Sequence, residues 1–156
     1  MELHIGLSGE QRDEIADGLN KMLADSYALY VKTHNFHWNV TGPNFSELHK
    51  VFEKQYQELA IAIDDIAERV RALGVFVPAS FSQFSQITSI DEETGQIHSD
   101  EMIRQLVLAQ EEVVRTARHL LPLVEDFNDA PTVDLLTLRM AAHEKNAWML
   151  RSLLEG

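Results

Sequence analysis

Between Phe45 and Leu73 an apolar seam runs through Phe45, Leu48, Phe52, Tyr56, Leu59, Ile63, Ile66, Val70 and Leu73, with every step three or four residues. A strand alternates with a period of two, whereas steps of three and four keep one face of an α-helix apolar for about eight turns. Such a helix cannot bury its stripe against itself; it needs neighbouring helices, and a narrow seam of this kind suits the packing of a left-handed bundle. The rest of the chain supplies them. Ser8 and Gln11 have the spacing of a capping box and predict a first helix from Ser8 to about Val40, along Ile15, Leu19, Met22, Leu23, Tyr30 and Phe36. Thr41-Gly42-Pro43 breaks it. The second helix, from Asn44 to Leu73 with Gly74 as its C-cap, then folds back on the first as an antiparallel hairpin.

Residues 75–98 read as irregular, but Phe81 and Phe84 at i and i+3 predict one short amphipathic turn. A crossover of this length fits parallel second and third helices. The third helix starts near Ser99 and runs to about Val124, with Pro122 expected to kink its last turns. Asn128-Asp129-Ala130-Pro131 is a turn, and the fourth helix spans about Thr132 to Leu154. The expected fold is all-α: one domain over 1–156, an up-down-down-up four-helix bundle whose long crossover carries a short helix between helices two and three.

Charge and composition narrow the function. Among 156 residues, 13 Lys and Arg face 25 Asp and Glu, a net charge of −12 that repels nucleic acid and anionic lipid and attracts cations. The absence of cysteine removes disulfides, thiolate nucleophiles, iron–sulfur clusters and cysteine-based zinc sites together, so any metal must sit on His and carboxylates. No apolar run approaches the roughly 18 residues a spanning helix needs. The segment MELHIGL lacks the basic start and apolar core of a secretion signal, and a cytoplasmic protein is expected.

Candidate chemistry lies on the first hairpin, at His34, His37, His49, Glu53, Asp64 and Glu68. His49 with Glu53, and Asp64 with Glu68, are i, i+4 pairs that stack two donors on one helix face, as chelation of one ion requires. All four fall within about 100° of arc on one flank of the apolar seam, a position that suits the edge of the bundle or a second chain. Glu53 and Asp64 are separated by eleven residues, roughly 16 Å of helix, so one ion cannot touch both pairs within one chain. A twofold axis near the helix midpoint would set His49 and Glu53 against Asp64 and Glu68 of a second subunit, and the hairpin places His37 level with His49. Two imidazoles and three carboxylates suit Fe(II), Mn(II) or Zn(II) and leave positions for water or peroxide. An intrasubunit di-iron site would need Glu-x-x-His steps, and none precedes any histidine here. Taken singly, each of these residues also reads as part of a structural or solvated face, and His34 reads as a structural or interface residue.

The run Thr33-His34-Asn35-Phe36-His37-Trp38-Asn39-Val40-Thr41-Gly42, followed by His49-x-x-x-Glu53, Asp64-Asp65-Ile66-Ala67-Glu68-Arg69 and His143-Glu144-Lys145-x-Ala147-Trp148, resembles the Dps family of ferritin-like mini-ferritins. The resemblance covers nearly the whole chain. It implies a hollow dodecamer that oxidises Fe(II), preferably with hydrogen peroxide, at di-iron sites between twofold-related subunits. Ferric oxide would be stored inside, and DNA would be protected from oxidative damage. It further implies His37, His49 and Glu53 from one subunit and Asp64 and Glu68 from its partner as iron ligands, with Zn or Mn as competitors. Position 53 is usually Asp in the family, and Glu53 reaches one methylene further. Trp38 matches the family's site tryptophan, with a radical-intercepting role. Acids near Glu125, Asp126, Asp129 and Asp134 fall where the family lines pores at threefold axes; the Asp134-to-Trp148 spacing matches that pattern, although turn formation and helix capping also use such residues. Family members often bind DNA through lysine-rich tails. MELHIGL has no Lys or Arg and the chain stops at Glu155-Gly156, so weak or absent DNA binding is expected. The alternatives are a DNA-compacting nucleoid protein with a secondary metal site, and a helical bundle without metal.

Overall fold

The computed structural model describes residues 2–155, so Met1 and Gly156, the outermost residues of the two ends read above for DNA binding, lie outside the described residues. Among these run five helices: α1 Gly9–Asn39, α2 Phe45–Ala72, the short α3 Phe81–Ile87, α4 Ser99–Asp126 and α5 Ala130–Ser152. Their apolar faces meet in two core clusters, and the membership of each fixes the topology. One gathers Leu29, Phe36 and Val40 from the end of α1, Leu48, Phe52 and Leu59 from the start of α2, Met102, Ile103 and Leu106 from the start of α4, and Leu150 from the end of α5. The other gathers Ile15, Leu19 and Met22, Ile66, Val70 and Leu73, Val114, Leu120 and Val124, then Leu136 and Met140. Thus α2 and α4 run the same way and α1 and α5 run against them, the up-down-down-up order expected from the crossover.

Helix ends follow local rules closely. The Ser8 hydroxyl accepts from the Gln11 backbone N–H at 3.1 Å while the Ser8 N–H donates to Gln11 Oε1 at 2.9 Å, completing the capping box. Gly74, at φ +89°, closes α2: its N–H donates to the Arg71 carbonyl and that of Val75 to the Val70 carbonyl. Two boundaries differ from expectation. Helix α4 runs on past Pro122 to Asp126, and the missing proline N–H leaves the Arg118 carbonyl without that donor. Helix α5 begins at Ala130 because Asp129, not a later residue, accepts from the Thr132 N–H, and Pro131 sits in the first turn where no donor is needed.

Buried polar groups fasten the bundle. Asp25 is fully enclosed and accepts from the Thr88 hydroxyl, the Ser89 N–H and the Thr116 hydroxyl at 2.7–2.8 Å, which pins the crossover to α1 and α4. On the opposite side Arg139 of α5 pairs with Glu58 of α2 and donates to His143 Nε2, while His143 Nδ1 donates to Gln110 of α4. Burial, and then the adjacent Arg139 guanidinium, lower the His143 pKa to about 3 from its ordinary 6.5. The native chain therefore holds His143 neutral where the unfolded chain would protonate it. Stability from this residue is complete above pH 6.5 and is lost as pH falls towards 3, by about 1.4 kcal/mol per pH unit. Urea unfolding at pH 7 and pH 5 should show a smaller loss on acidification for His143→Gln than for the wild type; equal losses would refute the assignment.

Candidate metal centre

The hairpin turn between α1 and α2 places two imidazoles face to face. Helix α1 stops with Val40 in extended conformation, its N–H bonded to the Phe36 carbonyl, and Gly42 at φ +109° supplies the left-handed residue that sends the chain back. His37 in the last turn of α1 then lies level with His49 in the second turn of α2. His37 Nδ1 bonds to the His49 carbonyl oxygen at 2.8 Å, and His49 Nδ1 bonds to the His37 carbonyl oxygen at 2.8 Å. The rings stack with centroids 3.8 Å apart and planes 18° from parallel.

This reciprocal bond decides the tautomers. A carbonyl oxygen only accepts, so each Nδ1 carries a hydrogen, and in the neutral ring each Nε2 keeps its lone pair. Fixing one ring nitrogen on a backbone carbonyl so that the other is free is the arrangement metal-binding histidines use. His37 is 6% exposed and His49 half-buried.

Aromatic side chains surround the pair. Tyr56 stands edge-on to His37 at 5.1 Å and stacks on His34 at 4.3 Å, and His34 stacks on Trp38 at 3.7 Å. Burial, and secondly the His37 imidazole, hold the His34 pKa below its ordinary value, which suits a neutral ring packed between two aromatics. Trp38 is 65% exposed and covers His34 from the solvent side.

The carboxylates divide. Glu53 lies one turn after His49 and is half-buried, whereas Asp64 and Glu68 are exposed. Because α2 is continuous from Phe45 to Ala72, the roughly 16 Å between Glu53 and Asp64 stands. Among the described residues no three His, Asp or Glu side chains of one chain gather to hold an ion. The structure thus brings together His37 and His49, with Glu53 a turn away, and leaves Asp64 and Glu68 facing outward at the other end of the same helix.

The pore acids divide too. Asp126, Asp134 and Glu125 are exposed, but Asp129 is 3% exposed and paired with Arg69 of α2 at 2.7 Å. It is a correction to the sequence reading: Asp129 is spent on capping α5 and anchoring Arg69, and its carboxylate does not face a channel. Arg69 also donates to Thr132 at 2.9 Å, so this junction fixes the end of α2, where Glu68 sits, against the start of α5. The sequence carries no local sign of the buried roles of Asp25 and His143, because Thr88, Ser89 and Thr116 reach Asp25 from the crossover and α4, and Gln110 reaches His143 from α4.

Residues 16–156 match the family of the ferritin-like domain. The Dps protein of Vibrio cholerae, described as a member of a broad superfamily of ferritin-like diiron-carboxylate proteins, superposes with a TM-score of 0.93 at 32% identity, covering 99% of this chain and 98% of that one. A DNA protection during starvation protein of Brevibacillus brevis is 39% identical over 137 residues, which is 88% of this chain and 92% of that protein. The chain belongs to the Dps family. A low-temperature-induced protein of Nostoc is 44% identical over 156 residues, 99% of this chain and 87% of its own length. The fold is therefore the ferritin-like one expected, and no helix among the described residues is long and apolar enough to cross a membrane.

Nitrogen NMR of histidine-labelled protein should find a hydrogen on Nδ1 of both His37 and His49. A ring carrying its hydrogen on Nε2 and none on Nδ1 would refute the cross-bond.

Proposed function

We propose that this Dps-family chain is a ferroxidase and iron store whose catalytic centre is built from two subunits. The observation that carries the reading is the His37–His49 cross-bond, which leaves the Nε2 of each of two stacked rings free to bind an ion. His37, His49 and Glu53 form one half of the centre, and Asp64 and Glu68 of a twofold-related copy complete it. Two imidazoles and three carboxylates form a donor set suited to Fe(II), with Zn(II) and Mn(II) as competitors. Two Fe(II) held together each give one electron to one hydrogen peroxide; its O–O bond breaks, two protons are taken up and two waters leave, so no hydroxyl radical is released. In this reading the single-domain chain assembles as a cytoplasmic dodecamer, with ferric oxide collecting on the acidic inner surface. DNA is protected by removal of iron and peroxide rather than by tight binding, since a charge of −12 opposes contact with phosphates.

Subunit mixing tests the shared site. Asp64→Ala/Glu68→Ala chains, and separately His37→Ala/His49→Ala chains, should lose Fe(II) oxidation with peroxide by roughly 10-fold to 100-fold or more, the scale that even outer partners of metal ligands command. Mixed dimers of the two variants contain one complete site and should regain part of the activity. If each variant is inactive and mixing restores nothing, the site lies within one chain. Full activity in the Asp64→Ala/Glu68→Ala chain would favour a bundle without this chemistry.

Asp134 and Asp126 remain on the exposed surface near the α4–α5 turn and are proposed to guide Fe(II) inward at threefold axes. Asp134→Asn should slow iron uptake with particle size unchanged. Unaltered oxidation kinetics would place the route elsewhere.

A further inference from the structure

The aromatic rings beside His37 do not end at Tyr56. Tyr56 meets Tyr30 at 5.9 Å with the rings perpendicular, and Tyr30 meets Tyr27 at 5.9 Å. Tyr27 stacks on Phe84 at 4.8 Å and lines a cavity of about 520 Å³ beneath the crossover, together with Lys32, Asn35 and Phe81. Each separation is within ordinary aromatic contact. A continuous line of three phenols therefore runs from the imidazole of His37, through the side of the hairpin, to a cavity wall on the other side of α1. Tyr27, Tyr30 and Tyr56 are each half-buried, and among the described residues none of their hydroxyls is a buried atom left without a partner, so all three phenols keep access to water for proton exchange.

We propose that Tyr56, Tyr30 and Tyr27 form a relay that carries one-electron oxidising equivalents away from the histidine pair to the cavity at Tyr27. The inference rests on the ferroxidase reading for the origin of those equivalents. When a single Fe(II) meets hydrogen peroxide, one electron breaks the O–O bond and yields hydroxide and a hydroxyl radical. The radical takes one electron and one proton from the Tyr56 hydroxyl and becomes water, leaving a neutral Tyr56 phenoxyl. Tyr30 passes an electron to Tyr56, which recovers a proton from water while Tyr30 releases its own; Tyr27 repeats the exchange. A soluble one-electron reductant of the ascorbate class then restores Tyr27, which takes up a proton from water. Electron exchange falls off steeply with the gap between donor and acceptor, so rings in contact outpace a radical escaping to attack the protein at random. Trp38, which reaches Tyr56 through the stacked His34, provides a second point of capture on the solvent side.

The test uses assembled wild-type, Tyr30→Phe and Tyr27→Phe protein, with Fe(II) limiting, peroxide in excess and a nitroso spin trap present. Peptide mass spectrometry maps the trapped radicals, and absorbance follows iron oxidation in the same samples. In wild type the adduct should appear at Tyr27. In Tyr30→Phe it should fall several-fold at Tyr27 and rise at Tyr56, with the rate of iron oxidation unchanged; Tyr27→Phe should move it back to Tyr30. A second arm needs no iron. Phe45, whose ring lies 5.2 Å from that of His49, is changed to Cys in a chain that has no other cysteine, and a ruthenium polypyridyl photo-oxidant is attached there. A flash should again label Tyr27 only when Tyr30 is present. Tyr27 labelling that is independent of Tyr30 in both arms, or labelling scattered over other tyrosine and methionine residues, would overturn the relay. Failure of iron oxidation with Tyr30-dependent labelling in the flash arm would overturn the ferroxidase reading and support the relay.

Discussion

Two hydrogen bonds, each from one imidazole Nδ1 to the carbonyl of the other histidine, hold the hairpin of α1 and α2 and set its chemistry at once. They satisfy a ring nitrogen of the buried His37 and of the half-buried His49, as polar groups withdrawn from water require. They also fix the level at which the two long helices pair, and hence where the rest of each apolar seam meets its neighbour. Because both bonds use Nδ1, both Nε2 atoms are left as donors of electron pairs. Stability of the turn and readiness for a cation come from the same contact.

The remaining donors are arranged by a different constraint, the rigidity of α2. A continuous helix keeps Asp64 and Glu68 on the same flank as His49 and Glu53 but far along the axis, where they are exposed and repel each other. In the proposed centre, a second copy laid antiparallel would relieve that repulsion through a shared cation and supply each histidine pair with the carboxylates it lacks. The anchoring of Arg69 by Asp129 and Thr132 belongs to the same logic, since it holds the acidic end of α2 against α5.

Much of this architecture was legible in the chain because its causes are local. The Ser8–Gln11 capping box, the Gly42 turn, the Gly74 cap and the seam from Leu48 to Leu73 each depend on residues within a turn or two of one another, and each appears in the structure as read. The i, i+4 pairs could be read for the same reason. The resemblance carried by His37, Trp38, His49, Asp64 and Glu68 then pointed to the family that the ferritin-like match and the Vibrio cholerae structure bear out. Asp129 could not be resolved this way: an acid in a turn before a helix serves as a cap or faces a channel, and only the position of Arg69, sixty residues earlier, decides between them.

The sequence by itself determined the helices, their order and the hairpin, because hydrophobic period, capping and the covalent spacing of side chains act within one segment. Tertiary structure alone decided which ring nitrogens are free, which acids are buried, and that three tyrosines from two helices line up behind His37. Tautomer, burial and ring contact are properties of space between segments, and they exist only once α1, α2 and their neighbours have packed.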